Sequence, residues 1–542
     1  MTTTTSPVTQ LTLRLQTISK EHPFLFFTGA IILSIIALFT FVAEYFKPLG
    51  KRKLKDGKPP RLPPGPSGLP IFGSLIDVKE GIEDEEHKKL KALRQYGEMA
   101  TLHLGQKTFI FLNSSRVAAE IITKRGSYTN ERSSYPVSSG IISHNHRRSV
   151  LMHQDAWAEP RRIMHPLISG SYLKTYGTWQ ELESTQLLAE YIFHPKLWYR
   201  HHFRYANSVI HRIALGERLA KSTKELVDLQ NCVTYFVSSV MTSMVDWFPD
   251  LEKLLPWGFV QPWRLSWGWL DRWNYNLYKE WWDPVKAKID NGTAPPSWVR
   301  DVLLHPDTKY TGDDDDAMYA AMQLVEAGSD TTRLVLNVVF MAALEHPTAF
   351  AKAREEVDRV CGKDENARLP TLADLEGLRY ICAMAKEVMR WRPIFGVPPD
   401  HTATKDFDFE GYHFPAGTGF VLNIPALCEE VKEPDSFVPE RWLDGHETNI
   451  AHGLWLFGGG RRICVGYRLA QNSLFLLLSR LVQSFDLEAA GPYNSRHLHF
   501  HATDEPFPVN MKVRSHHYEK LILSEAEKHG VLEDAKLERD KL

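Results

Sequence analysis

The chain has 542 residues, a formal charge of −2, and basic and acidic side chains in near balance (64 against 66), which gives no electrostatic case for a nucleic-acid partner. Hydrophobic residues make up 43% and aromatics 11%, enough for one large core. Five scattered cysteines (Cys232, Cys361, Cys382, Cys428 and Cys464), odd in number, argue against a disulfide framework and for a reducing compartment.

Residues 1–23 precede an apolar run, 24–43, that carries no charge over twenty residues, the length a helix needs to cross a bilayer core. Lys47, Lys51, Arg52, Lys53, Lys55 and Lys58 follow it, against Arg14 and Lys20 before it. The positive-inside rule then puts the N-terminus outside the cytosol and the bulk of the chain within it. A cleaved signal peptide is the competing reading, but its apolar region would be shorter and end in small residues rather than a basic patch. The predicted division is a transmembrane anchor over 24–46, a basic and proline-rich hinge over 47–70, read as a stiff extended spacer, and one catalytic domain over 71–542.

Residues 101–105 and 108–112 read as a hairpin in a small sheet. Helical patterns dominate from about 155 to 350, and short strands return between 406 and 421 around Gly411 and the turn at 415–417. His144, His146, His201 and His202 supply no ligand set at matching spacing and read as surface histidines rather than a metal site. Trp257, Trp263, Trp267, Trp269 and Trp273 form a stripe whose default is core packing, with a membrane-dipping loop as the alternative. Sequons stand at Asn113 and Asn291 and are unused if the domain is cytosolic. The charged tail, 523–542, reads as a solvated helix or a frayed end.

Four stretches carry chemistry. Residues 327–332 (AGSDTT) place Gly and hydroxyls between two helical patterns, either as a weak step inside one helix or as a boundary with Asp330 or Thr331 as N-cap. The acidic run 313–316 suits a helix N-terminus. Glu387 and Arg390 are opposite charges at i, i+3, and further on comes Pro439-Glu440-Arg441-Trp442. The fourth, residues 457–466 (FGGGRRICVG), holds a lone cysteine behind glycines and an Arg-Arg pair, ahead of the helical run 474–482. Cys464 is therefore predicted at or just before a helix start, where backbone N–H groups and the dipole lower a thiol's pKa and favour the thiolate. Gly460 and Gly466 would permit turns and the close approach of a flat ligand.

The last stretch resembles the haem-binding loop FxxGxRxCxG of the cytochrome P-450 family, meeting every fixed position. With the distal-helix pattern [AG]Gx[DE]T[ST] at 327–332, ExxR at 387–390, a PERF-like segment ending in Trp442 in place of Phe, and WxxxR at 157–161, all in order, the chain resembles a microsomal, fungal-type member from about 62 to 522. The resemblance implies a mainly α fold with small β-sheets and haem b (iron protoporphyrin IX) ligated by Cys464. It implies haem contacts from Phe457, Gly460 and Gly466, and propionate contacts from Trp157, Arg161, His401 and Arg462, with Pro160 awkward in a helix unless it falls in the first turn. Glu387, Arg390 and Arg441 would form a structural cluster behind the haem. The Ala-Gly pair would let a bent helix lie against the haem face, while Asp330 and Thr331 would relay protons to dioxygen.

The implied reaction inserts one oxygen atom from O2 into an apolar organic molecule, a secondary-metabolite intermediate, with electrons from NADPH through a flavoprotein cytochrome P-450 reductase and cytochrome b5 as a second donor. The implied location is the endoplasmic reticulum membrane, single-pass, with the catalytic domain cytosolic. Residues 136–146 and 394–398, expected along the pocket, offer no acid for a cationic substrate. Two rivals stand beside this reading: a haem-thiolate isomerase or dehydratase needing no reductase, against which the Asp330-Thr331 pair argues, and an anchored haem-binding protein without turnover.

Overall fold

The computed structural model describes residues 23–84, 86–168, 170–240, 242–254, 261–498 and 507–537. The N-terminal residues 1–22, Trp257 and the tail end 538–542 lie outside them. The first helix, α1 (Pro23–Tyr45), carries the expected apolar run. Its apolar stretch Ile31–Tyr45 is short, and among the described residues no single helix is long and apolar enough to cross a membrane.

The body is mainly helical. The helices that frame the site are α2 (Gln154–Met164), α3 (Gly170–Phe193), α4 (Trp198–Leu215), α5 (Lys224–Ser239), α6 (Pro262–Asp290), α7 (Asp314–Glu345), α8 (Pro347–Cys361), α9 (Arg379–Trp391), α10 (Tyr467–Ser484) and α11 (His516–Lys528). Strands β1 (Met99–Leu104) and β2 (Lys107–Leu112) form the expected hairpin, Met99 opposite Leu112. β3 (His401–Thr402) and β6 (Gly419–Leu422) complete a sheet of order β1-β2-β6-β3, while β4 (Phe407–Phe409) pairs β5 (Tyr412–Phe414) and β7 (Phe485–Ala489) pairs β8 (Val509–Val513).

Helix α7 is the axis of the core. The acidic run starts it with a capping box, Asp313 and Asp316 each accepting the other's backbone N–H. It continues unbroken through 327–332, so the boundary reading fails: a helix packed along α4 on buried apolar residues keeps its ladder through one glycine and two threonines. Gly328 is needed there by packing, since a Cβ would lie 2.7 Å from Ile210 Cγ1.

Several local readings change. The hinge is no free spacer: the Pro63 and Pro64 carbonyls accept from Thr101 Oγ1 (2.7 Å) and Thr101 N (3.0 Å), laying 63–65 along β1. Pro160 is the seventh residue of α2, beyond its first turn, and the Ala156 carbonyl it cannot bond lies on an exposed turn. His201 and His202 are fully buried rather than on the surface; His202 meets Tyr191 Oη (2.6 Å) and Asn337 Oδ1 (2.9 Å). His144 is half-buried, against Asp271 (3.0 Å) and stacked on Tyr275. The described part of the tail is docked, with Ala526, Val531 and Ala535 in the core and Asp534 bonded to Arg218 (2.6 Å). Trp263, Trp267 and Trp273 pack inside, whereas Trp269 is 46% exposed.

Glu387 is wholly buried and accepts from Arg390 Nε (2.9 Å) and Nη2 (2.8 Å), Arg441 Nε (3.3 Å), Val438 N (2.8 Å) and Trp442 Nε1 (2.8 Å). The expected three-residue cluster is thus assembled, and Trp442 is a donor to it that phenylalanine could not be. Trp442→Phe keeps the ring and removes the N–H, so it is expected to lower unfolding free energy by about 1–3 kcal/mol, as for other buried acceptors stripped of a donor. Chemical denaturation measures this; unchanged stability would mean that Glu387 does not depend on the indole.

Candidate functional site

Cys464 stands two residues before Gly466, the N-cap of α10, as its sequence context predicted. Its N–H donates to the Phe457 carbonyl (2.8 Å), closing the loop, and its sulfur accepts from the Gly466 N–H at 3.3 Å. Gly460 is needed for its backbone: φ is +59°, and a Cβ would lie 2.5 Å from the Ile122 carbonyl oxygen. Gly466 is not required in that way, since its φ is −96° and a Cβ would touch only Cys464 Sγ at 3.8 Å.

The other described cysteines are buried, whereas Cys464 is deep among protein atoms and yet accessible, so its sulfur faces an internal space. The thiol's acidity departs from expectation. Burial pushes the Cys464 pKa up, and the N–H groups of Gly466 and Tyr467 and the charge of Arg161 offset this only in part. Without a cationic partner the thiol form is favoured; a metal cation supplies the missing charge.

Helix α7 opens onto internal space at one place. It is buried throughout 317–326 and 333–343, and between them Ala327 is exposed while Gly328, Asp330, Thr331 and Thr332 are half-buried. The Thr331 hydroxyl donates to the Ala327 carbonyl (2.7 Å) and the Asp330 carboxylate pairs with Arg333 Nη2 (2.6 Å).

Basic groups converge beside the cysteine loop. Arg161 Nη1 donates to the Ile463 carbonyl (2.7 Å), and Arg462 donates to the Asn130 (3.1 Å) and Met152 (2.9 Å) carbonyls with its guanidinium 4.1 Å from the Trp157 ring centre. His401 Nδ1 meets the Thr129 carbonyl (3.0 Å), and burial holds its pKa down at about 3, so its imidazole is neutral. Trp157, Arg161, His401, Arg462 and Cys464 are thereby brought to one place.

Sequence reasoning missed Arg132. It is buried, donates to the Val150 carbonyl (3.0 Å) and to the Asp400 carbonyl, and adds to the field on Arg462. Burial, Arg132 and Arg161 together depress the Arg462 pKa to about 9, and Arg462 Nη1 is buried without a hydrogen-bond partner. A lone arginine in a polar loop carries no sequence signal, because its role depends on 330 residues of intervening chain folding back onto it.

An inward-facing sulfur and an arginine cluster in which Arg462 Nη1 has no hydrogen-bond partner are what a metalloporphyrin with two carboxylates fits. Cys464 would ligate its iron, and Arg132, Arg161 and Arg462 would hold its carboxylates, with Trp157 and His401 beside them. The family profile of cytochrome P-450 matches residues 63–497. A cytochrome P-450 monooxygenase of Clonostachys rogersoniana (verL) is 31% identical over 88% of this chain and 92% of its own, and one of Aspergillus ruber (fogE) is 30% identical over 82% and 83%. The solved structure of a zebra fish cytochrome P-450, described with abiraterone, has the same fold, with a TM-score of 0.61 at 20% identity over 79% of this chain and 99% of that one. The chain belongs to the cytochrome P-450 family, and with it to the monooxygenases among oxidoreductases.

Replacing one cation of the cluster tests the assignment. Arg132→Gln removes a charge that no sequence motif marks, and it is expected to lower haem retained per protein after gel filtration while folded yield is kept. Full retention would place the carboxylates elsewhere.

Proposed function

We propose that this protein is a membrane-anchored haem-thiolate monooxygenase that inserts one oxygen atom from O2 into an apolar organic small molecule, an intermediate of secondary metabolism. The observation that carries the chemistry is the pairing of an inward-facing Cys464 with the Arg132–Arg161–Arg462 cluster, in which Arg462 Nη1 has no hydrogen-bond partner. The bound haem supplies the oxidation and the electrons reach it from NADPH through a flavoprotein reductase, with cytochrome b5 as a second donor. The chain's own residues hold the group, exclude water and move protons. Thr331 is the hydroxyl at the window of α7 and Asp330 the carboxylate that resupplies it from solvent. The fungal monooxygenase relatives support the substrate class.

Anchoring is read from α1 with its basic flank and from exposed apolar side chains: Leu69, Phe72 and Ile76 near the N-terminal end of the domain, and Tyr235, Val237, Met244, Leu265 and Trp269 on and around α5 and α6. Phe46 and Phe72 both meet Phe248, at ring distances of 5.5 and 6.0 Å, which ties the end of α1 to part of that surface. Apolar surface of this kind suits a bilayer interface, and the proposed location is the endoplasmic reticulum membrane with a cytosolic domain.

Topology has one usable reporter. Asn113 is buried and donates to the Leu93 (3.1 Å) and Gly97 (2.9 Å) carbonyls, so it cannot carry glycan on either side of the membrane. Asn291 is exposed. In microsomes the domain is expected to be protease-sensitive and Asn291 unmodified; an endoglycosidase-sensitive mass at Asn291 would reverse the orientation.

Thr331→Ala tests the chemistry. A positioned proton donor contributes ~10²–10⁴-fold in rate, so this variant is expected to keep haem and substrate binding, consume NADPH and release hydrogen peroxide in place of product. Thr332→Ala, about 100° round the helix, should do much less. Turnover of a hydroperoxide without NADPH, with no uncoupling in Thr331→Ala, would favour an isomerase instead.

A further inference from the structure

The segment before α2 meets α5, α6 and α7 in a buried polar cluster that the oxygen chemistry leaves unused. Arg148 is 1% exposed, with its guanidinium 3.6 Å from the centre of the Phe236 ring on α5. Its Nη1 binds one oxygen of Glu326 on α7, and the other oxygen accepts from the Tyr278 hydroxyl on α6. Nε and Nη2 of Arg148 are buried and have no hydrogen-bond partner among the described residues. Gln230 on α5 and Asn274 on α6 are in the same condition. Both side chains are buried and the NH2 group of each is unpartnered, while their amide oxygens accept from Ser329 Oγ (3.4 Å) and from the Cys232 thiol. Cys232 lies in the field of Arg148 and Glu326, and burial raises its pKa, so it stays a thiol and donates to Asn274.

Every unmet valence on Arg148, Gln230 and Asn274 is therefore an N–H. Packing alone does not account for this, because a buried donor without an acceptor costs stability and native cores hold few of them. The cluster also borders the catalytic space. Glu326 immediately precedes Ala327, where α7 opens inwards, and stands one turn, about 6 Å, before Asp330.

We propose that Arg148, Gln230 and Asn274 are specificity-determining residues that hold a neutral carbonyl group of the substrate (a ketone, lactone or quinone), while its apolar remainder reaches the opening in α7. This rests on the monooxygenase reading above and narrows its substrate class. The charges favour a neutral group. Glu326 already neutralises the guanidinium, so a substrate carboxylate would face an acid beside the base, and an ammonium group has no acceptor to meet. Selectivity follows from the burial: a carbonyl oxygen satisfies donors that the corresponding hydrocarbon leaves unpaired, the situation in which sites discriminate most strongly. Holding one end of the substrate also fixes which carbon faces the haem.

The test uses the holoenzyme and two rigid pairs of probes that differ by one carbonyl, fluorenone against fluorene and xanthone against xanthene. Binding is read from the low-spin to high-spin change of the haem absorption. The wild type is expected to bind each ketone at least about tenfold more tightly than its hydrocarbon, as for one good buried hydrogen bond. Gln230→Leu should bring that ratio towards one. Arg148→Lys, which keeps a cation beside Glu326 but lacks the spare prongs, should do the same. No ketone preference in the wild type, or one unchanged in both variants, would overturn the proposal; should Arg148→Lys fail to fold, Gln230→Leu decides alone.

Thermal unfolding without any probe gives a second reading, which also decides the matter if none of the probes changes the spectrum. Ser329 keeps its bond to the Glu326 carbonyl (3.2 Å) when Gln230 is removed. Donors reserved for a substrate are a cost to the folded chain, so the midpoint of Gln230→Leu should hold or rise. A fall of several degrees would show that internal water or the protein already satisfies them, and the proposal fails. Carbonyl-selective binding without NADPH-dependent oxygenated product would leave this subsite standing and remove the monooxygenase reading; oxygenated product without carbonyl preference would do the reverse.

Discussion

A carboxylate with no exposure to water holds the proximal half of this protein together. Glu387 projects from α9 and receives five hydrogen bonds, from Arg390, Arg441, Trp442 and the Val438 backbone. Arg390 in turn binds the Cys428 (3.2 Å), Pro434 (2.8 Å) and Ser436 (2.9 Å) carbonyls. A charge so deep is tolerated only when every lone pair is met, so the segments that supply the donors have one shared arrangement. Trp442 carries that constraint forward: it lies in the same core as Leu454, and Phe457, Val465 and Tyr467 of the cysteine loop pack against that core. The sulfur of Cys464 is placed by this chain of contacts as much as by its own loop.

The site that results is out of electrostatic balance by itself. Burial alone would favour a neutral thiol at Cys464, and it also presses on Arg132, Arg161 and Arg462, whose pKa values all fall below the ordinary arginine value. A cation at the sulfur and carboxylates at the arginines relieve both strains at once. That is why a metal-bearing dianion is a better fit than either a free metal ion or an organic acid, and why its binding should couple to the packing of the segments that carry these residues.

What was legible in the sequence was local. Cys464 ahead of α10, the β1–β2 hairpin and the acidic start of α7 each depend on neighbours within a few residues, and motif order supplied the Glu387 cluster. What was hidden depends on contacts across the chain. Histidines 201 and 202 read as surface residues because their partners lie outside their own helix: the His194 carbonyl and Glu190 for His201, and Tyr191 and Asn337 for His202. The hinge looked like a spacer because the strand that bonds its proline carbonyls begins 35 residues later. The tail is rich in charge yet docked, since Ala526, Val531 and Ala535 reach the main core. The acidity of Cys464 was misjudged for a related reason: helix-end N–H groups are visible in a sequence, whereas the depth of burial that outweighs them is not.

Helix α7 ties several parts of the fold together along one face and opens onto internal space on that same face. Glu326, Asp330, Arg333 and Asn337 are spaced four, three and four apart, which puts them on one side of the helix. Glu326 is bonded to Arg148, from the segment before α2, and to Tyr278 on α6. Asn337 pairs with His202 on α4 at 2.9 Å. Those bonds reach other parts of the fold, so breaking either one would loosen the helix from its surroundings. Asp330 alone on this stripe takes its charged partner from within the helix, and it does so where the helix opens onto internal space.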